Sequence, residues 1–291
     1  MATRAKSTFS VLPIADVVLD RAIDVALNED LFAGDVTTEA CISRDAVAVA
    51  HAVARAPLVA CGSAVFSRVF SRVDASLKVR VEVEDGASVK AGKSLWSVRG
   101  SARSILMGER VALNFVQRMC AIATTTRAYV DALPRGSNAR ICDTRKTTPG
   151  LRAFERYAVR VGGGVNHRDN LGAAILIKDN HIAACGGVAE AIGRARAYAP
   201  HTSRIECEVD SLDQLDEALA AGADIILLDN MSAKTVKLAV ARTAGRAILE
   251  ASGGVTLARV RELADAGVEV LSIGALTHTV ASADIGLDFK S

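Results

Sequence analysis

The stretch RIECEVDSLDQLDEALAAGADIILLDNMSAKTVKLAVARTAGRAILEASGG (204–254) sets the architecture. RIECEVD (204–210) is β-like. SLDQLDEALAAG (211–222) has Leu212, Leu215 and Leu219 at helical spacing, a Ser211/Gln214 capping box at its start and Gly222 at its close. DIILLDN (224–230) is apolar almost throughout, as a strand covered on both faces must be. SAKTVKLAVARTAG (232–245) returns to helical periodicity, and AILEASGG (247–254) is a strand ending in a turn. Strands that alternate with helices require a parallel sheet with right-handed crossovers. Downstream, TLARVRELADAG (256–267) and VEVLSIGAL (268–276) add a helix and a strand; upstream, ARICDTRK (139–146) and AAILIKDN (173–180) add two strands. Six such strands without a GxGxxG fingerprint predict a TIM-type α/β barrel rather than a dinucleotide-binding sheet.

The first part of the chain has another texture. Residues 15–27 predict a short helix with Val18, Ala22 and Val25 on one side. The runs 46–54, 77–84 and 94–100 read as strands, with Val79, Val81 and Val83 alternating with charge as in a half-exposed antiparallel sheet. EDGASVKAGKSLWSV (84–98) resembles the hairpin of a lipoyl or biotin carrier, but no lysine sits in a carrier-type modification motif at its tip; a small α+β layer domain is the better reading. A long helix from Ser101 to Leu133, stopped by Pro134, follows, with Leu106, Leu113, Val116, Cys120 and Ala123 on one stripe. Arg103, Arg110, Asn114 and Gln117 form a polar stripe beside it.

Composition narrows the function classes. The chain has 291 residues, half of them apolar, and 35 Lys+Arg against 33 Asp+Glu, so a generally nucleic-acid-binding surface is excluded. No apolar run approaches the ~20 residues needed to span a bilayer, and Pro13 and Asp16 make the N-terminal stretch a poor secretion signal. Cys41, Cys61, Cys120, Cys142, Cys185 and Cys207 contain no CxxC pair and are too sparse for a disulfide scaffold. A soluble cytoplasmic protein is expected.

Chemistry in parallel α/β proteins gathers at the carboxyl ends of the strands. Here those ends are Thr144-Arg145-Lys146, Lys178, Glu208, Asp229, Ser252-Gly253-Gly254 and Gly274-Ala275. Positions 208, 229, 252 and 274 recur at 21, 23 and 22 residues, one βα unit each, so these groups converge on one mouth. Between Arg135 and Lys178 stand nine Lys/Arg and three Asp/Glu, and several of these positives sit at strand ends or in the Gly162–Arg168 turn, where Arg168 follows His167, so the ligand is polyanionic. The SGG and Ile273-Gly274-Ala275 turns match the phosphate position of barrels. Glu208 and Asp229 opposite them read as a Mg²⁺-diphosphate position, with the metal held directly or through water. His181, His278, Asp143 and Asp179 read as supporting groups, and Cys142 and Cys207 as packing residues.

These residues lie in DTRKTTPGLR (143–152), GGGVNHR (162–168), LIKDNH (176–181), IECEVD, LLDNMS (227–232), EASGG and SIGALTH (272–278), which resemble the quinolinate phosphoribosyltransferase family. EDLFAGDVTT (29–38), GERVALNF (108–115) and DIGLDF (284–289) extend the likeness over almost the whole chain. Asn170 and Ala173 depart from the family's usual Gly and Asp at positions that do not bind ligand. The resemblance implies an α/β fold with an incomplete TIM-like barrel (119–279) and a smaller N-terminal α+β sandwich domain (1–118, joined by 280–291). It implies transfer of phosphoribosyl from phosphoribosyl pyrophosphate to quinolinate with decarboxylation, giving nicotinate mononucleotide, CO₂ and diphosphate, with Mg²⁺ as cofactor. Lys146, Glu208 and Asp229 are then catalytic. Arg110, Arg145, His167, Arg168 and Lys178 hold the substrate carboxylates, and Thr144, Ser252, Gly253, Gly254, Gly274 and Ala275 complete the substrate site. A homodimer is implied, with Arg110 reaching the neighbouring active site. The alternatives are a nicotinate or molybdenum-linked phosphoribosyltransferase, and a non-catalytic phosphate-binding or carrier protein.

Overall fold

The computed structural model describes residues 13–290; the stretch 1–12, on which part of the secretion-signal reading falls, lies outside the described residues. The chain divides into two compact units. One comprises the residues up to Thr125, Thr148–Gly162 and the C-terminal segment from Thr279; the other comprises Thr126–Thr147 and Gly163–His278.

The first unit contains α1 (Asp16–Leu31), α2 (Val36–Cys41), β1 (Val47–Ala54), β2 (Leu58–Val59), α3 (Ser63–Val73), β3 (Lys78–Val81), β4 (Ser88–Val89), β5 (Ser94–Ser101) and most of α4 (Ala102–Asp131). The second begins within α4 and holds β6 (Arg140–Cys142). The excursion α5 (Arg152–Gly162) belongs to the first unit. The second unit resumes with β7 (Ile175–Ile177), α6 (Asp179–Cys185), α7 (Val188–Tyr198), β8 (Ile205–Val209), α8 (Leu212–Ala220), β9 (Ile225–Asp229), α9 (Ala233–Thr243), β10 (Ile248–Ser252), α10 (Leu257–Ala266), β11 (Val270–Ser272) and α11 (Ala275–His278). The final strand β12 (Ile285–Lys290) returns to the first unit.

In the first unit an antiparallel sheet runs β12-β1-β5-β3. Its core is aromatic: Phe66, Phe70 and Trp96 are fully buried, with ring centroids 4.9 and 5.3 Å apart along the chain of contacts. The one polar atom of Trp96 is satisfied, because Nε1 donates to Val83 O at 3.0 Å. The carrier-like hairpin does not form. Ser88–Val89 pairs with Leu58–Val59, while β5 pairs with β1 and β3. On α4, Val116, Cys120 and Ala123 are fully buried, as the stripe predicted. Two members of the polar stripe serve this unit: Arg103 donates to Ile42 O and Glu39, and Gln117 to Ile285 O at 2.7 Å.

The second unit carries six parallel strands in the order β6-β11-β10-β9-β8-β7. The first strand pairs with the last, as in a closed barrel, and the sheet stays open between β6 and β7. An isolated parallel bridge from Cys142 to Val165 extends the β6 edge, and Arg168 Nη1 reaches Ala174 O at 3.0 Å, just before β7. This is the incomplete barrel that the family resemblance implies. Residues of alternate parity face outward under the helices: Ile205, Cys207, Val209, Ile226, Leu228, Leu249 and Ala251 are nearly inaccessible. They pack with Ile192, Leu215, Val236, Val260 and Leu263 of α7 to α10 in the same core. Each large aliphatic chain buried this way contributes about 1.5–3 kcal/mol. Ser211 caps α8 by accepting from Gln214 N, but Gln214 Oε1 accepts from Asp210 N rather than from the cap residue itself.

Candidate active site

The other parity of the strands faces inward, onto a cavity of about 820 Å³. Thr144, Arg145, Lys146, His167, Arg168, Lys178, Glu208, Asp229, Ser252, Gly253, Gly254, Gly274 and Ala275 all line it, within the second unit. Arg110 does not: it is exposed on α4 in the first unit. Of the residues weighed as supports, His278 lines the cavity, whereas His181 is spent on its own turn, its Nδ1 accepting from Lys178 N at 2.9 Å.

The cations come from the open side of the sheet. Lys146 has its backbone pinned at both ends: its N–H donates to Thr144 Oγ1 at 3.1 Å and its carbonyl accepts from Thr277 Oγ1 at 2.6 Å. Its stem passes Gly274 so closely that a Cβ there would lie 3.0 Å from Lys146 Cδ, which explains glycine at that position. Fully buried Asp143, just past β6, accepts from His167 N at 2.7 Å and Asn166 Nδ2 at 2.5 Å, so it fixes the glycine-rich turn. Arg168 Nε is buried with no hydrogen-bond partner. Burial, and then the charge of Arg145, lower its pKa, the mark of cations gathered before an anion arrives. The Lys178 ammonium pairs with Glu208.

Two carboxylates that the strand-end reading missed lie one layer deeper. Glu206 and Glu250 are 5% and 4% exposed, two residues before Glu208 and Ser252 on the same inward faces. His167 Nε2 lies 3.3 Å from Glu206 and 3.5 Å from Glu250. Period-two alternation back from each strand end finds both residues, so the signal was present. Burial opposes charging of His167, but the two carboxylates outweigh it and push its pKa up to about 10. Glu206 is also pushed up, first by burial and then by Glu250, against the lowering effect of His167. Nε2 presents its proton to the two carboxylates, and the Arg168 amide nitrogen lies 2.7 Å from Nδ1. The three ligand-type groups lie within 4.8 Å of one another, yet that proton occupies the place a metal would take. A raised histidine pKa contributes stability in full below its ordinary value of 6.5 and loses it as pH rises through about 10. The melting-temperature difference between the native protein and His167→Gln is therefore expected to shrink from pH 7 to pH 10. A difference that holds constant over that range would refute the assignment.

Glu208 and Asp229 end neighbouring strands at the mouth of the cavity and offer only oxygen donors. That is the chemistry hard divalent cations take, so the residues fit Mg²⁺, with substrate and water supplying the remaining ligands. Beyond them the Ser252-Gly253-Gly254 turn precedes α10, a ten-residue helix. Cys142 and Cys207 are buried in β6 and β8, and burial raises both thiols, the latter to about 11, so they pack and do not react.

The sequence matches two consecutive domain models, quinolinate phosphoribosyl transferase N-terminal domain over residues 35–120 and C-terminal domain over residues 122–288. It is 47% identical over 284 residues to the nicotinate-nucleotide pyrophosphorylase [carboxylating] of Mycobacterium leprae, covering 94% of this chain and 99% of that one. It is 43% identical to the probable enzyme of that name from Bacillus subtilis over 89% of each chain. The solved structure of NadC from Streptococcus pyogenes superposes with a TM-score of 0.91 at 42% identity, over 96% of this chain and all of that one. Cavity, domain matches and relatives of matching length agree, and the chain belongs to the quinolinate phosphoribosyltransferase family.

Proposed function

We propose that the barrel cavity joins quinolinate to phosphoribosyl pyrophosphate and releases nicotinate mononucleotide, CO₂ and diphosphate, a step of de novo NAD biosynthesis. One observation carries this reading: five cationic side chains, Arg145, Lys146, His167, Arg168 and Lys178, share a single cavity with Glu208 and Asp229 and two glycine turns. Quinolinate carries two adjacent carboxylates. The buried, unpaired Nε of Arg168, with Arg145 and Lys178, supplies fixed positive charge for them. Glu208, neutralised by Lys178 before the substrate binds, is released toward the ribose or the metal when Lys178 turns to a carboxylate. Glu208 and Asp229 would hold Mg²⁺, which would supply positive charge for the departing diphosphate, and Lys146 stabilises the same developing charge. Glu208 and Asp229 face the oxocarbenium-like ribose. The Ser252-Gly253-Gly254 turn offers backbone amides to the 5′-phosphate. Ribosylation makes the ring nitrogen cationic, and that charge stabilises the C2 carbanion when CO₂ leaves and a proton takes its place. The protein's part is positioning and electrostatics.

Arg110, exposed on its own unit, is proposed to complete the carboxylate site of a second subunit in a homodimer. No helix among the described residues is long and apolar enough to cross a membrane, and a cytoplasmic location is proposed. The test is turnover with quinolinate, phosphoribosyl pyrophosphate and Mg²⁺, with nicotinate run in parallel. Equal yields of mononucleotide and CO₂ from quinolinate, and silence with nicotinate, are expected. Product from nicotinate alone would sink the dicarboxylate assignment.

A further inference from the structure

Asn230 follows Asp229 at the end of β9 with φ +56°, one of two non-glycine residues with positive φ among those described. That region is strained for most side chains, least so for asparagine, and persists only where the surroundings enforce it. Three contacts enforce it here. The Asn230 N–H donates to Ser252 O at 2.9 Å, and its Nδ2 donates to Asp229 Oδ2 at 2.9 Å. Its side-chain amide also lies flat against Gly253. A Cβ at Gly253 would overlap Asn230 Oδ1 outright and lie 2.9 Å from Nδ2, and Gly253 itself sits at φ +84°. Arg259 of α10 ties the same two loops again, donating to Met231 O at 3.1 Å and Gly254 O at 3.2 Å. The carboxylate of Asp229 and the glycine turn after β10 are thus one mechanical unit with Asn230 as its pin.

We propose that Asn230 is a positioning residue that sets the spacing between the Asp229 carboxylate and the Ser252-Gly253-Gly254 turn, and so fixes the two ends of the phosphoribosyl donor relative to one another. The inference rests on the reading of those groups as the donor's ribose or metal carboxylate and its 5′-phosphate cradle. Asparagine in a left-handed turn can serve shape alone, and Asn230→Gly separates the two roles. Glycine adopts that φ freely, so the turn survives while the amide is lost.

The native protein, the two single variants Asn230→Gly and Gly253→Ala, and the double variant are compared by thermal melting, by calorimetric binding of phosphoribosyl pyrophosphate with Mg²⁺ and no quinolinate, and by steady-state kinetics. For Asn230→Gly the melting temperature stays within roughly 5 °C of the native value. Donor affinity falls about 10–100-fold, the scale for removing a group that orients a ligand-holding carboxylate, while the KM for quinolinate changes less. Gly253→Ala loses donor affinity through its overlap with the Asn230 amide. Adding Asn230→Gly to Gly253→Ala removes that overlap and recovers part of the loss, so the two effects are non-additive. Donor affinity for Asn230→Gly within twofold of native would overturn the proposal, as would strict additivity or a loss accompanied by a larger melting drop. Native protein that fails to bind the donor would remove the underlying reading of the site, and this proposal with it.

Discussion

Lys146→Ala is expected to lower kcat with quinolinate by about 10³ and to leave the melting temperature almost unchanged. The two halves of that expectation have different origins. Stability is spared because the side chain is exposed within the cavity and the backbone is held by Thr144 and Thr277, neither of which touches the ammonium. Rate is lost because departure of diphosphate builds negative charge, and a cation placed beforehand stabilises it without reorganisation; removing one such donor typically costs 10² to 10³. Lys146→Arg is expected to recover only part of the rate. Its planar head must pass the same gap beside Gly274, where the lysine stem already runs close. Saturating kinetics on both variants check the argument, and a Lys146→Ala protein within tenfold of native kcat would place the leaving-group charge elsewhere.

The residues that define this site were legible from sequence because strand ends in a barrel recur once per βα unit, and Glu208, Asp229, Ser252 and Gly274 keep that beat. What the strand-end reading passed over has physical reasons as well. Glu206 and Glu250 each lie between two buried apolar residues of their strands, Ile205 and Cys207, and Leu249 and Ala251, and a carboxylate there looks anomalous until the opposite parity is recognised as the lining of a cavity. Asn230 carries no charge and announces itself only through its backbone angle. The pairing of Ser88–Val89 with Leu58–Val59 is a contact between strands of two residues each, too short to leave a periodic signal. The domain boundary drawn at 118/119 falls inside one continuous helix, Ala102–Asp131, where no change of composition marks a break. Arg110 could be named as a ligand only through family resemblance, because an exposed arginine on a helix has no local feature that sets it apart.

Away from the active site, the largest effect expected is on stability. In the first unit Arg118 Nε donates to Glu155 Oε1 at 2.7 Å, and the Glu155 side chain is 1% exposed. The second oxygen, Oε2, accepts from Thr148 N at 3.2 Å. Around the pair lies a smaller cavity of about 220 Å³, lined among others by Phe115, Met119, Leu151 and Phe154. Arg118→Leu leaves the Glu155 carboxylate in that apolar setting with its countercharge gone, and a buried charge stripped of its partner costs about 3–5 kcal/mol. For a unit of this size the loss corresponds to a fall in melting temperature of roughly 6–20 °C. The pair itself contributes much less than its rupture costs, because both charges were desolvated to form it. The double variant Arg118→Leu/Glu155→Leu is therefore expected to be more stable than Arg118→Leu alone, despite carrying one more substitution. Denaturant unfolding of the native protein and the two variants orders them; a double variant less stable than the single one would mean that Glu155 holds the Thr148 turn through its amide bond more than it depends on Arg118.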